Sequence, residues 1–289
     1  MSSIRHSLIK AKKLLESKNL PTFEAILLLE KVLSLPKEKL FVDLEKNFDP
    51  EQEKEYFKLI NKRLSGFPLQ YILGYQNFWS LKFQVGRGVF IPRPETELLI
   101  EKAIELFSRE DEIIIVDIGT GCGNIAISLG KEYPNARVIG IEISEKALDY
   151  AIKNAQFHRV RNVKFLKGNL FSPLEELNLH GKVDLIISNP PYVSEEEWIN
   201  LDEVIKKHEP REALVPGKSG LELIEKIVKE SPQFLRTKGY LLLEIGEKQT
   251  DKVKKLFNAR WKEIEIFKDY NNLPRILKAC LIRRELNND

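Results

Sequence analysis

Residues 116–129, Val-Asp-Ile-Gly-Thr-Gly-Cys-Gly-Asn-Ile-Ala-Ile-Ser-Leu, decide the fold. An apolar run, Ile113–Asp117, predicts a strand. An amphipathic run, Asn124–Tyr133, predicts a helix. Between them lies an elbow, Gly119-Thr120-Gly121-Cys122-Gly123. Glycine lets the backbone turn sharply and lets a ligand come close to the main chain. Strand, glycine loop and helix in that order form the first unit of an open parallel sheet. The loop reads G-x-G-x-G, with Asn124 where G-x-G-x-x-G would place its last glycine. That departure disfavours a dinucleotide pyrophosphate and points to a smaller, less anionic ligand. A tight turn without a ligand is the plain alternative.

Two acids flank the loop. Asp117 closes the first strand. Glu142 follows the second, Arg137–Ile141, at the spacing of an acid that accepts hydrogen bonds from a ribose diol. Such a pair suits a ligand with a cationic amino group and a free ribose, as in S-adenosylmethionine (SAM). No histidine stands near Cys122 in sequence, so it reads as a small loop residue and not as a nucleophile.

Outward from this loop the chain alternates. Helices are expected over Glu95–Phe107, Glu145–Phe157, Leu221–Glu230 and Gln249–Phe257. Strands are expected over Asn162–Lys167, Val183–Ser188 and Tyr240–Ile245, and around Ile264–Ile266 and Ile276–Ile282. This rhythm predicts an α/β doubly wound sheet over residues 91–289. Residues 1–74 read as helices. Thr22 is the expected cap of Phe23–Leu33, and Asp49-Pro50 starts a helix that ends at Gly66. Residues 75–90 hold two apolar-aromatic runs around Gly86-Arg87-Gly88, which signals a β-hairpin joining the two domains.

The bulk properties set bounds. The chain has 289 residues, 43% hydrophobic and 31% charged, with a net charge of +3. This describes a globular chain with no strong pull toward nucleic acid. The longest apolar runs are too short to span a bilayer, and the first residues lack the apolar stretch of a signal peptide. Two cysteines and four scattered histidines make neither a disulfide framework nor a metal site. A cytoplasmic location is expected.

A second motif, Ser188-Asn189-Pro190-Pro191-Tyr192-Val193, follows the fourth strand of the alternating region. It stands at the sheet edge where such folds bind ligands. Proline at 190 forces Asn189 into an extended conformation. The two prolines carry no N–H, so this stretch offers carbonyls. The Asn189 side-chain oxygen and the Pro190 carbonyl can together accept both hydrogens of one –NH2 group, and Tyr192 can stack on a planar one. A delocalised amino group is a poor nucleophile. Pinning both its hydrogens orients it and stabilises the positive charge that builds as it attacks a methyl group.

Together these motifs resemble the SAM-dependent methyltransferases of planar amino groups. More narrowly, the chain resembles the HemK/PrmC family, the N5-glutamine methyltransferases of bacterial peptide chain release factors. The stretches that carry this likeness are PLQYILGYQNFWSLKFQV (68–85), FIPRPETELLIE (90–101), VDIGTGCGNIAISL (116–129), LIISNPPYV (185–193), HEPREAL (208–214) and DYNNLPRILKA (269–279).

The resemblance implies a Rossmann-like methyltransferase domain behind a helical docking domain. It implies SAM as cofactor, S-adenosylhomocysteine as product, and a class I release factor as partner, methylated on the glutamine of its Gly-Gly-Gln loop. It implies that Gly119, Thr120, Gly121, Cys122 and Gly123 line the cofactor's amino-acid end, that Glu142 holds the ribose, and that Asn169 and Leu170 flank the adenine. Relatives often carry an acid and an aromatic at those last two places. Asn189, Pro190, Pro191 and Tyr192 would bind the glutamine amide, with Asn189, Pro190 and Tyr192 catalytic and Asn189 also against the cofactor. Arg93 and Thr96 would reach the cofactor or only open a helix. Glu209 and Arg211 would wall the substrate channel or form a local salt bridge. No membrane, no direct nucleic-acid partner and a monomer are expected. The alternative is an N6-adenine methyltransferase of DNA or RNA, which could use the same four residues. A non-catalytic module on the same fold is a further reading.

Overall fold

A computed structural model describes residues 2–282. The chain divides into two compact units, Met1–Tyr75 and Gln76–Asp289. The first is helical: α1 (Ile4–Glu16), α2 (Glu24–Leu33), α3 (Lys37–Val42), α4 (Pro50–Leu64) and α5 (Leu69–Leu73). Asp49 caps α4 as its sequence implies, accepting from the Glu51 and Gln52 N–H groups at 3.1 and 3.0 Å. Thr22 does not cap α2. Backbone bonds from Glu24 to Pro21 and from Ala25 to Thr22 already close that turn. Leu8, Leu28, Tyr56 and Ile60 build the core of this unit.

A hairpin of β1 (Tyr75–Phe78) and β2 (Leu81–Gln84) follows. It turns at Trp79-Ser80 and not at Gly86-Arg87-Gly88. Trp79 and Ser80 both have positive φ, 49° and 57°, the two-residue turn that matches strand twist. Tertiary bonds override the unfavourable residue types. The Trp79 backbone N–H donates to Glu97 at 2.9 Å, and its indole N–H donates to Glu132 at 2.8 Å.

The remaining strands are β3 (Ile114–Ile118), β4 (Arg137–Glu142), β5 (Val163–Lys167), β6 (Val183–Ser188), β7 (Leu235–Glu244), β8 (Trp261–Lys268) and β9 (Pro274–Leu281). They form one seven-stranded sheet in the order β5-β4-β3-β6-β7-β9-β8. All neighbours are parallel except β9, which runs antiparallel to β7 and β8. The helices are α6 (Glu97–Ile104), α7 (Asn124–Glu132), α8 (Glu145–His158), α9 (Ser172–Glu175), α10 (Glu195–Asn200), α11 (Glu203–His208), α12 (Glu222–Phe234) and α13 (Thr250–Lys254). The expected helix from Glu95 is a 3₁₀ turn at Pro94–Thr96 followed by α6. The strand expected at Tyr240 already starts at Leu235, beyond an α12 that continues to Phe234.

Residue type explains the middle of the sheet. Every residue of β6 is buried, as are four of the five in β3. Strands covered on both faces read as continuous apolar runs, and each buried Ile or Val contributes about 1.5–3 kcal/mol. The chain winds from β3 outward through β4 to β5, then returns to β6 on the other side of β3. Strand order therefore reverses between β3 and β6, and a crevice opens beyond their C-terminal ends.

Candidate active site

That crevice holds a cavity of about 410 Å³. The glycine loop forms one wall, and Asp117 staples it. One Asp117 oxygen accepts from the Thr120 hydroxyl at 2.5 Å and from the Ala126 N–H at 3.2 Å. The end of the strand, the loop and the start of α7 are thus held by one carboxylate. Its other oxygen is buried with no hydrogen-bond partner among the described residues. Burial pushes this carboxyl up to about 7.

Gly119 and Gly121 have φ of +71° and +58°, and a side chain at either would project into open space. Both line the cavity, together with Thr120 and Cys122. Gly123 does not. A Cβ there would lie 3.0–3.2 Å from Ile127, Phe165 and Ala151, so this glycine serves packing under α7. The Cys122 thiol is buried, and its pKa is pushed up to about 12 by that burial. It is no nucleophile.

Glu142 lines the cavity at the end of β4. Its two oxygens accept from Gly121 N–H and Ser144 N–H, both at 2.9 Å. Asn169 and Leu170, beyond β5, lie on the same cavity.

Another part of the wall is Asn189 to Tyr192, all four of which line the cavity. The Asn189 amide donates from Nδ2 to Thr96 Oγ1 at 3.0 Å. Its Oδ1 and the Pro190 carbonyl accept no hydrogen bond from the described residues. Gln249 fixes the following backbone, donating to the Tyr192 carbonyl at 2.9 Å. A Cβ on Gly220 would stand 2.4 Å from that same carbonyl, so only glycine fits there.

Behind this wall lies a residue that sequence reasoning did not single out. Glu244 ends β7 and is 1% exposed. It accepts from the Thr96 hydroxyl at 2.7 Å and from the Tyr192 phenol at 3.0 Å. Burial raises its pKa, opposed by those two bonds and by the Arg275 charge. Burial and the Glu244 charge raise that of Tyr192. Arg275 is held by Asp269 at 3.2 Å, which also accepts from the Asn271 and Leu273 N–H groups. The DYNNLPR stretch thus acts as a clamp on Arg275. Carboxylates at strand ends in open sheets are a usable signal, but LLLEIG contains nothing else to mark its glutamate.

Arg93 and Thr96 both line the cavity. Arg93 pairs with Glu209 at 2.5 Å, and the other Glu209 oxygen accepts from Ile91 N–H at 3.1 Å. Arg211 faces Glu195 at 3.4 Å, away from the cavity lining. The HEPREAL stretch therefore makes local ion pairs and contributes Pro210, Glu212, Ala213 and Leu214 to the wall. Among the described residues no group of three or more His, Cys, Asp or Glu side chains could hold a metal ion. No helix among them is long and apolar enough to cross a membrane.

The glycine-loop cavity sits at the switch point of an open sheet, where such folds bind ligands, and the chain's relatives give its class, a methyltransferase. The family model described as "Methyltransferase domain" matches residues 109–278, and that of the "PrmC N-terminal domain" matches residues 6–74. A methyltransferase structure from Pyrococcus furiosus shares the fold, with a TM-score of 0.50 at 18% identity, over 79% of this chain and 97% of that one. A release factor glutamine methyltransferase of Chlorobaculum tepidum is 36% identical over 90% of both chains. One from Thermodesulfovibrio yellowstonii is 38% identical over 85% of this chain and 88% of its own, and one from Bacillus cereus 36% identical over 86% and 88%. The chain belongs to the release factor glutamine methyltransferase family.

Proposed function

We infer that the protein transfers a methyl group from SAM to the side-chain amide nitrogen of the glutamine in the Gly-Gly-Gln loop of bacterial class I release factors. The observation that carries this reading is a pair of acceptors with no donor among the described residues, Asn189 Oδ1 and the Pro190 carbonyl, on residues that line the same cavity as the glycine loop. Two fixed acceptors match the two hydrogens of one primary amide.

The residues present fit the cofactor. Gly119 and Gly121 leave open space where side chains would stand. Glu142 presents a carboxylate anchored by two backbone N–H groups. The unpartnered Asp117 oxygen lies behind the loop, and a cationic amino group bound there would favour ionisation of a carboxyl that burial holds up. Asn169 and Leu170 would flank the adenine, where Asn169 can accept through its side-chain oxygen. When bound, SAM supplies a methyl group on a sulfonium sulfur, which keeps the C–S electron pair and leaves as S-adenosylhomocysteine.

The chain's own residues act on the acceptor. Asn189 and Pro190 hold both amide hydrogens, which orients the nitrogen and favours its pyramidal form. As positive charge builds on that nitrogen, the same two oxygens stabilise it without reorganising. Tyr192 covers a face of the planar amide. The methylated nitrogen is acidic enough to lose its proton to water, so no strong base is needed.

A release factor substrate fits a monomeric cytoplasmic enzyme whose helical residues 1–74 dock the partner. Direct nucleic-acid binding is not expected at a net charge of +3. The test is transfer of label from SAM to unmodified release factor and, in parallel, to adenine-containing nucleic acid. Label on the release factor that disappears when its loop glutamine is changed supports the reading. Label on nucleic acid alone would assign the same four residues to an adenine amino group.

A further inference from the structure

An asparagine amide carries an acceptor on one side and donors on the other, and a half-turn about its last torsion exchanges them. For Asn189 to accept from a substrate, its Nδ2 must be held elsewhere. Thr96 Oγ1 holds it at 3.0 Å. That hydroxyl has one proton, and the proton goes to Glu244 Oε2 at 2.7 Å. The lone pairs of Oγ1 can then only accept, which selects Nδ2 and rejects Oδ1. The other Glu244 oxygen takes the Tyr192 phenol proton at 3.0 Å, and the Arg275 charge acts on both groups, favouring the carboxylate form of Glu244. Every hydrogen bond in this chain runs toward Glu244, which as a carboxylate has two donors and gives none.

We propose that Glu244, acting through Thr96, is the positioning residue that turns the Asn189 amide so that its oxygen faces the methyl acceptor. This rests on the reading of Asn189 as an acceptor. A group at 244 that can donate would return a proton to Thr96. The Thr96 hydroxyl could then donate to Asn189 Oδ1, and the amide would present donors to an –NH2 group that has only donors to offer. Activity would fall although no residue touching substrate had changed.

The experiment compares Thr96→Val, Thr96→Ser and Glu244→Gln with the parent protein in two readouts. The first is methyl transfer to release factor, with kcat and KM separated. Thr96→Val and Glu244→Gln are expected to lower kcat roughly 10- to 100-fold, the scale of one misdirected buried hydrogen bond. SAM affinity should stay within about threefold, and Thr96→Ser should recover most of what Thr96→Val loses. The second is the side-chain amide resonance of Asn189, assigned by its loss in Asn189→Ala. It should be shifted and slow to exchange in the parent and in Thr96→Ser, and neither in Thr96→Val. This readout needs no turnover, so a parent that fails to methylate release factor would overturn the proposed substrate while the amide orientation is still read. Should Thr96→Val not fold, Glu244→Gln carries both readouts. An Asn189 resonance that is the same in all four proteins overturns the inference. So does a Thr96→Ser as impaired as Thr96→Val, which would make residue 96 a packing position.

Discussion

Replacing Asn189 by alanine tests the chemistry most directly. The substitution removes Oδ1, one of two acceptors on this wall, and leaves the Pro190 carbonyl. A fixed dipole that meets developing charge in a closed site is worth about 10²- to 10³-fold in rate, or about 3–4 kcal/mol at the transition state. The folded protein loses less. Thr96 forfeits the Nδ2 donor but keeps its own bond to Glu244 at 2.7 Å, so stability should fall by about 1 kcal/mol. The cofactor wall stands on separate bonds, Thr120 to Asp117 and Gly121 to Glu142, so SAM affinity should change less than about threefold. The assay is single-turnover methyl transfer to release factor under saturating SAM, with SAM binding measured by calorimetry on the same preparation. A kcat within threefold of the parent would refute the reasoning. A loss confined to KM would also count against it, since that pattern marks an interaction equally strong in ground and transition states.

Asp117→Asn should flatten the dependence of stability on pH. The Asp117 carboxyl titrates at about 7 in the folded chain against 3.8 ordinarily. Between those values the folded chain therefore keeps a proton that the unfolded chain has lost, and stability falls as pH rises. Urea unfolding from pH 4 to 7 should show the parent losing about 3 kcal/mol relative to the variant; parallel curves would remove Asp117 as the source. Gly123→Ala should lower stability by about 1–3 kcal/mol, from a positive φ and contacts as near as 3.0 Å. Gly121→Ala, whose Cβ meets open space, should instead weaken SAM binding more than it lowers stability. Equal effects of the two on SAM affinity would erase the distinction between cradle and packing glycine. Arg93→Ala leaves Glu209, whose side chain is 2% exposed, with the Ile91 N–H as its one hydrogen-bond donor among the described residues. A stability loss of about 2–3 kcal/mol is expected by denaturant titration, and no loss would show that water replaces the guanidinium there.

The glycine loop, Glu142 and the Asn-Pro-Pro-Tyr stretch were legible because each announces itself locally. Glycines, prolines and a strand-terminal acid constrain the backbone of their own neighbours, whatever the rest of the chain does. Thr96 was legible as a helix start or a contact to the cofactor, and not as a partner of Asn189. Its hydroxyl gains a second meaning from Glu244, 148 positions away in sequence, and no local rule spans that distance. Glu244 sits in an apolar strand text and is marked only by the partners that the sheet order delivers to it. The hairpin turn failed for the converse reason. Gly86-Arg87-Gly88 has the favourable residue types, but the chain turns at Trp79-Ser80, where Glu97 and Glu132 hold the indole and its backbone. Gly123 looked like a third member of the cradle because spacing cannot reveal that its open side faces Phe165.

The reversal of strand order between β3 and β6 has an evolutionary side. Residues assigned to the methyl donor come from β3, β4, β5 and their loops. Residues assigned to the acceptor follow β6, and their support comes mainly from β7 and β9. Donor and acceptor residues therefore occupy separate wings of one sheet, with Thr96, from before β3, joining the acceptor wing through Asn189 and Glu244. The excursion after β6 is closed at its base by the Val193 N–H bond to Leu214 at 2.9 Å. What hangs from that junction can be lengthened, shortened or exchanged without rewriting the donor wing. Leu201, Ile205 and Pro210 hang from that junction and line the cavity, so changes among them would reshape the acceptor's surroundings and leave Gly119, Gly121 and Glu142 untouched.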